Sequence, residues 1–203
     1  MKPIIFAGMI AKNEARDIGK AIASIRDVVD GIVLVDTGST DETIAVAMKA
    51  AGRLPFIIDM YTGASEQDEA GNWRLIDFSK ARNRYVDMLD ASPATHLFWL
   101  DADEVVLNPQ ALRRATYYTG RDCFAVWMQD GGTRWQRQCL WKTRIGIRFA
   151  GACHEYPVLG SARGFCLDDC TIVHDGAPAP GQENSNVRNL RILQAEYQHN
   201  PTP

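Results

Sequence analysis

No run of apolar residues in this 203-residue chain is longer than a strand. A membrane-spanning helix needs ~20 such residues, so a transmembrane segment is not expected. The first residues reach Lys12 and Glu14 without the apolar centre of a secretory signal, which makes a cytoplasmic protein the expectation. Cysteine is sparse: five residues, an odd number with no compact framework, read as reduced thiols. Cys166 and Cys170 stand four apart, but no second pair with ligand spacing completes a zinc site, and both are read as buried or incidental thiols. Excess positive charge is also missing. The net charge of −3 counts against nucleic acid or an anionic membrane as partner. One local basic cluster, Arg134, Arg137, Lys142, Arg144 and Arg148, reads as the solvated face of a β-meander. Two nucleotide signatures are lacking as well. Without Gly-x-Gly-x-x-Gly or Gly-x-x-x-x-Gly-Lys-Ser/Thr, dinucleotide cofactors and a P-loop NTPase are both disfavoured.

What the chain does have is enough apolar residue, 46%, to build one substantial core, with 23% charged residues to solvate it. Pro3 to Ile10 is an apolar, β-favouring run, followed by a helical pattern with Ile18, Ala21, Ile22 and Ile25 on one face. Gly31 to Asp36 is a second strand. Ser39 or Thr40 is placed to cap a helix through Ile44, Ala47 and Met48 that stops at Gly52. Phe56 to Met60 is a third strand, and this β-α-β-α-β order implies a parallel sheet with right-handed crossovers. Tyr61 to Asn72 reads as a loop. Asp77 opens a helix with Phe78, Ala81, Tyr85, Val86 and Leu89 as apolar contacts, and Leu97 to Leu100 is a buried strand. After Pro109 a helix is expected to about Tyr118. Short strands then follow at Cys123–Met128, Gln138–Lys142 and Thr171–His174. The fold class is therefore α/β, with a largely parallel central sheet and a mixed, β-rich second half. Residues 1–104 are expected to form a nucleotide-binding half and 105–182 an acceptor half. Residues 183–203 would be a C-terminal helix (Val187, Leu190, Leu193, Ala195) with little to pack on, as if a helical region had been cut short.

Chemistry concentrates where three strands should end on one sheet edge. The first turn offers Lys12, Asn13 and Glu14; the second offers Asp36 and Thr37-Gly38-Ser39; the last offers Asp101 and Asp103. Residues i and i+2 of a strand point the same way, so the last two carboxylates suit a hard divalent cation. Open α/β sheets bind ligands at that edge, where an acid ending an early strand can accept a hydrogen bond from a base or ribose.

Four segments occur in order: Met9-Ile-Ala-Lys-Asn-Glu14, Val35-Asp-Thr-Gly-Ser-Thr-Asp41, Asp77-Phe-Ser-Lys-Ala-Arg-Asn83 and Trp99-Leu-Asp-Ala-Asp-Glu104. Each is weak alone. Together, from Ile4 to about Gly176, they resemble the family-two glycosyltransferases with a GT-A fold, in a bacterial branch that often continues into tetratricopeptide-like repeats. The resemblance implies transfer of a sugar from a nucleoside diphosphate sugar, with UDP as the expected carrier, to a saccharide or other hydroxyl acceptor, with inversion. It implies that Asp36, with Thr37, binds the base and that Asn13 and Glu14 line the nucleoside pocket. Arg82 would lie near the ribose or diphosphate, and Asp101 and Ala102 would contact the donor. Asp103 and His174 would ligate Mn²⁺ or Mg²⁺, mixed oxygen and imidazole donors being acceptable to manganese. Inversion needs a base opposite the leaving group. Glu155, in Gly151-Ala-Cys-His-Glu-Tyr156, is the first candidate and Asp130 the second. Asp41 reads as a helix-terminus carboxylate, Glu104 as either a cap or a site residue, and His154 as structural, orienting Glu155. Trp127, Trp135 and Trp141 could stack on an acceptor sugar or belong to the core. Two other readings stay open: a nucleotidyltransferase on a similar sheet, and a non-catalytic sugar-nucleotide-binding module.

Overall fold

The computed structural model of the chain describes residues 2–174 and 184–199. Strand β1 (Ile5–Ala11) leads into helix α1 (Ile18–Ile25), then β2 (Gly31–Asp36), α2 (Thr43–Ala51) and β3 (Phe56–Met60). Every residue of β1 and β2 is buried, which is why both read as unbroken apolar runs: a parallel sheet covered on both faces has no polar side to alternate with. Helix α1 buries Ile18, Ala21, Ile22 and Ile25, the face its periodicity predicts. Each isoleucine taken fully from water contributes about 1.5–3 kcal/mol before chain entropy is counted. Helix α2 ends at Gly52, as expected. It buries Thr43, Ala47 and Ala51 and leaves Met48 half exposed. The helix lies beside α1, and its small residues are the ones that permit a close approach.

The expected loop after β3 holds a two-stranded ribbon, β4 (Ser65–Gln67) and β5 (Trp73–Leu75). Helix α3 (Phe78–Asp90) starts where the Asp77 carboxylate accepts the Lys80 backbone N–H at 2.8 Å. Next come β6 (His96–Trp99), β7 (Glu104–Leu107) and α4 (Gln110–Ala115), a helix shorter than expected. Then β8 (Cys123–Asp130) and β9 (Thr133–Lys142) form a hairpin, followed by the pair β10 (Arg148–Ala150) and β11 (Tyr156–Val158), by β12 (Gly164–His174) and by helix α5 (Ser185–His199).

One eight-stranded sheet runs β3-β2-β1-β6-β9-β8-β12-β7. β3, β2, β1 and β6 are parallel; β9 opposes both β6 and β8, β12 runs with β8, and β7 opposes β12. The expected α/β class, parallel first half and mixed second half are all present, and both halves share this sheet. The hairpin differs from expectation. Gly131 and Gly132 form a two-residue turn, with Gly131 at φ 52° as such turns require, so both strands run longer than predicted. Only Leu140 to Lys142 of β9 pair with β6, so the rest of the hairpin projects past the end of β6.

Helix α5 is not without a partner. Ile192 is buried, Arg191 donates to the Leu75 carbonyl at 3.2 Å, and the Arg188 guanidinium lies 5.0 Å over the Phe78 ring. Val187, Leu190, Leu193 and Tyr197 are exposed. The remainder of the expected C-terminal segment (Glu183 and Asn200 to Pro203) and Asp175-Gly176 lie outside the described residues. Among the described residues no helix is long and apolar enough to cross a membrane.

Candidate active site

The C-terminal ends of β1, β2 and β6 open on one edge, and hydrogen bonds stitch the first two together. Asn13 adopts φ 57°, a left-handed turn that asparagine tolerates. Its backbone N–H donates to Ser39 Oγ at 3.0 Å, and its side-chain Oδ1 accepts the Thr40 N–H at 2.8 Å. The Glu14 N–H donates to Thr43 Oγ1 at 2.8 Å. Ser39 and Thr40 are therefore spent on the neighbouring turn and do not cap α2. Asp41 serves that helix start by accepting the Thr43 N–H at 3.0 Å. Thr37 is buried against Ala11, whose carbonyl accepts its N–H at 3.0 Å.

Asp36 is fully buried at the floor of this edge. Its Oδ1 accepts the N–H groups of Gly38 and Ser39 at 2.9 and 2.8 Å, which fixes the carboxylate. Its Oδ2 is buried with no hydrogen-bond partner among the described residues. A buried carboxylate oxygen left unpaired costs about 1–3 kcal/mol or more. Such an acceptor is placed to receive a donor from a ligand.

A second group of charges sits where β6 ends. Arg82, on α3, is 3% exposed. Its Nη1 lies 2.8 Å from Asp101 Oδ1, and its Nε donates to Glu155 Oε1. Burial opposes its charge, yet Asp101 and Glu155 outweigh that and hold it well above its usual range. Asp101 also accepts the Trp99 indole N–H at 3.0 Å, and its Oδ2 stands 3.5 Å from Arg137 Nη1. Burial pushes the Asp101 carboxyl up, but Arg82 and Arg137 reverse this and leave it below the ordinary range. Arg137 donates twice to Glu104, at 2.7 Å to each oxygen. Arg82 and Arg137 also stack over the Trp99 ring, 4.6 and 4.2 Å from its centroid. Glu104 is thus a buried site residue, its Oε2 also accepting the Asp101 backbone N–H at 2.9 Å. Ala102 is buried between the aspartates.

Residues 101–103 form a turn beyond β6 and not a strand, so the expected alternation of strand side chains does not apply to the two aspartates, and Asp103 has a partner of its own. Register pairs His174 of β12 with Glu104 of β7, and this brings His174 Nδ1 to 3.6 Å from Asp103 Oδ2. Burial first, then the Asp101 and Glu104 charges, push the Asp103 carboxyl up to about 6 against the pull of His174. A carboxylate and an imidazole, both about one-third exposed, fit part of a divalent-cation site. No group of three or more His, Cys, Asp and Glu suited to a metal occurs among the described residues. A cation held here would therefore complete its shell with oxygens from water or a ligand.

Of the two candidate bases, Glu155 lies inside this network, with a side chain 9% exposed. Asp130 is exposed at the hairpin tip, four residues beyond Val126, the cross-strand partner of Arg137. That is about 13 Å along the strand. His154 precedes Glu155 with φ 56°. Trp141 is core, Trp127 lies under Arg134 at 4.6 Å, and Trp135 is 42% exposed on the hairpin.

The basic cluster is not one solvated face. Arg137 is in the site, Lys142 pairs with Asp122, Arg148 pairs with Asp87 and Asp90, and Arg144 binds the carbonyls of Ser92 and Ala94. Arg137 and Trp99 are the residues that sequence reasoning missed. Had Gly131-Gly132 been taken as a two-residue turn, β9 would begin at Thr133. Arg137 would then be a charged residue well inside a strand, which demands a partner.

No family model matches the chain. It is 32% identical over 99 residues to a TPR repeat-containing protein of Synechococcus elongatus, covering 49% of this chain and 20% of that protein. It is 42% identical over 50 residues to an uncharacterized glycosyltransferase of Rickettsia felis, covering 25% of this chain and 18% of that one. A similar protein of Rickettsia conorii is 38% identical over 50 residues. The chain spans about a fifth of the length of the curated relatives it matches. Among solved structures, Staphylococcus aureus TarS 1–349 in complex with UDP-GlcNAc superposes with a TM-score of 0.60 at 13% identity. That superposition covers 95% of this chain and 65% of TarS 1–349. The fold is the GT-A fold, and the likeness to glycosyltransferases expected from the four motifs is present in the sequence relatives.

Proposed function

We propose that this chain is the catalytic unit of a metal-dependent, inverting glycosyltransferase that moves a sugar from a UDP-sugar to an acceptor hydroxyl. The observation that carries this reading is the unpartnered Asp36 Oδ2, buried on the same sheet edge as the Asp103–His174 pair. The imino N–H of uracil is a donor of the kind that oxygen lacks, whereas the corresponding cytosine nitrogen is an acceptor. TarS, with the same fold, is described in complex with UDP-GlcNAc, which makes UDP-sugars the first donors to test.

In this reading Asp36 and Thr37 hold the base, and Asn13 and Glu14 line the nucleoside pocket. Asp101 and Ala102 face the ribose, with Arg82 keeping Asp101 ionised and in place. Asp103 and His174 would hold Mn²⁺ or Mg²⁺, which when bound supplies positive charge against the departing nucleoside diphosphate. Glu155 takes the proton of the acceptor hydroxyl as its oxygen bonds to the anomeric carbon and the anomeric C–O bond to the diphosphate breaks. Asp130 is the alternative base.

A thermal-shift panel of nucleoside diphosphates, each with and without Mn²⁺, tests this directly. A ligand bound only by the folded state raises the melting temperature, by about 2.7 kcal/mol of stability at a hundredfold excess over Kd. UDP with Mn²⁺ is expected to give the largest shift. A protein that responds to no nucleoside diphosphate would refute the reading. A non-catalytic module would respond to UDP and its sugars yet never release UDP from them. A nucleotidyltransferase would release pyrophosphate from a nucleoside triphosphate.

A further inference from the structure

Past the end of β6, strand β9 keeps β8 as its ladder partner, β8 itself being paired with β12, and the other edge of β9 is left to be fastened by side chains. Arg137 fastens it at the point where the hairpin crosses the acidic turn. Its two N–H groups close on both Glu104 oxygens at 2.7 Å, a fork-to-fork pair. The same Glu104 carboxylate accepts the Asp101 N–H at 2.9 Å, while the Glu104 N–H donates to the Asp101 carbonyl at 3.2 Å. Residues 101–104 are therefore closed into a small ring, with Asp103 inside it and its carboxylate turned to His174. Arg137 also stands 3.5 Å from Asp101 Oδ2 and 4.2 Å over Trp99, so one side chain touches the hairpin's own strand, the acidic turn and the platform beneath it.

We propose that Arg137 is a positioning residue for the donor site: by tying the hairpin to Glu104 it sets the turn from which Asp103 meets the donor's cation. The proposal rests on the functional reading above. Arg137 touches neither donor nor cation in this account and acts through Glu104 and Asp101. Lysine cannot replace it, because a single ammonium cannot span both carboxylate oxygens and stack on the indole.

The test compares Arg137→Met, Arg137→Lys and the double variant Arg137→Met/Glu104→Gln with the wild type. Melting temperature and UDP affinity by calorimetry, with and without Mn²⁺, are read at a temperature where circular dichroism shows each protein folded. Arg137→Met strands a buried carboxylate and is expected to melt lower; Glu104→Gln removes the stranded charge and restores stability. The amide keeps a brace to the Asp101 N–H but not the tie to the hairpin. Mn²⁺-dependent UDP affinity is therefore expected to stay at least tenfold weak in the double variant and in Arg137→Lys. A double variant that regains both stability and wild-type UDP affinity overturns the inference alone, since the pair is then merely structural. A wild-type protein that binds no UDP with Mn²⁺ overturns the functional reading and this inference with it.

Discussion

Gly8 lies in the middle of β1, paired in register with Trp99, and a side chain there would disturb the site from below. A Cβ on Gly8 would stand 2.6 and 2.7 Å from Cδ2 and Cε2 of Tyr85, and 3.0 Å from Cγ. Carbon atoms rest at about 3.5–4.0 Å, so α3 would have to retreat by about 1 Å. Tyr85 cannot swing aside, being fully buried with its ring edge-on to Phe149 at 6.1 Å between centroids. Overpacking of this kind costs about 1–3 kcal/mol. In a domain of this size each kcal/mol lowers the melting temperature by about 2–4 °C, so Gly8→Ala is expected to lose about 2–12 °C. Tyr85 stands one turn from Arg82 on α3, so the same displacement loosens the Arg82–Asp101 pair. Differential scanning calorimetry checks the first effect. Adding Tyr85→Leu should relieve the clash, giving a favourable coupling of about 1 kcal/mol or more between the two substitutions. Unchanged melting for Gly8→Ala, or strict additivity in the double variant, would refute the packing argument.

His96, 5% exposed at the start of β6, carries a pH prediction. Burial, then the charges of Lys142 and Arg113, push it down to about 4 from its ordinary 6.5. Its stabilising contribution is therefore whole above pH 6.5 and is lost as pH falls through about 4, where the folded protein must protonate it. The full loss is about 3 kcal/mol at most. The stability difference between wild type and His96→Gln in urea should shrink over that window, and parallel pH profiles would contradict the assignment. If Asp36 holds the base as proposed, Asp36→Asn keeps an oxygen for the Gly38 and Ser39 N–H groups but turns an amide toward it. Losing a hydrogen bond to a charged group should weaken UDP about 10- to 150-fold, with CDP losing less. Equal loss for both nucleotides, measured by calorimetry, would sink Asp36 as the base contact.

Local pattern carried much of this fold because local forces decide much of it. β1 and, as far as Val35, β2 are apolar runs since both faces are covered, and α1 shows its buried stripe directly. The gathering of Asp36 and Asp101 at one edge was legible because strand ends on a parallel sheet converge whatever the loops do. What escaped was set by distant partners. Arg137 meets Glu104 across 33 residues of sequence, and nothing near it announces the pairing. Ser39 and Thr40 look like helix caps, yet Asn13, brought alongside by the β1–β2 register, competes for them and wins.

The most direct measurement is release of UDP from a UDP-sugar, with and without Mn²⁺, by the wild type and by Asp103→Ala. The wild type should release UDP only with the metal, and Asp103→Ala should lose that dependence together with most of the rate. Turnover that needs no divalent cation, or an Asp103→Ala protein matching the wild type, would contradict the assignment of this edge as a metal-assisted donor site.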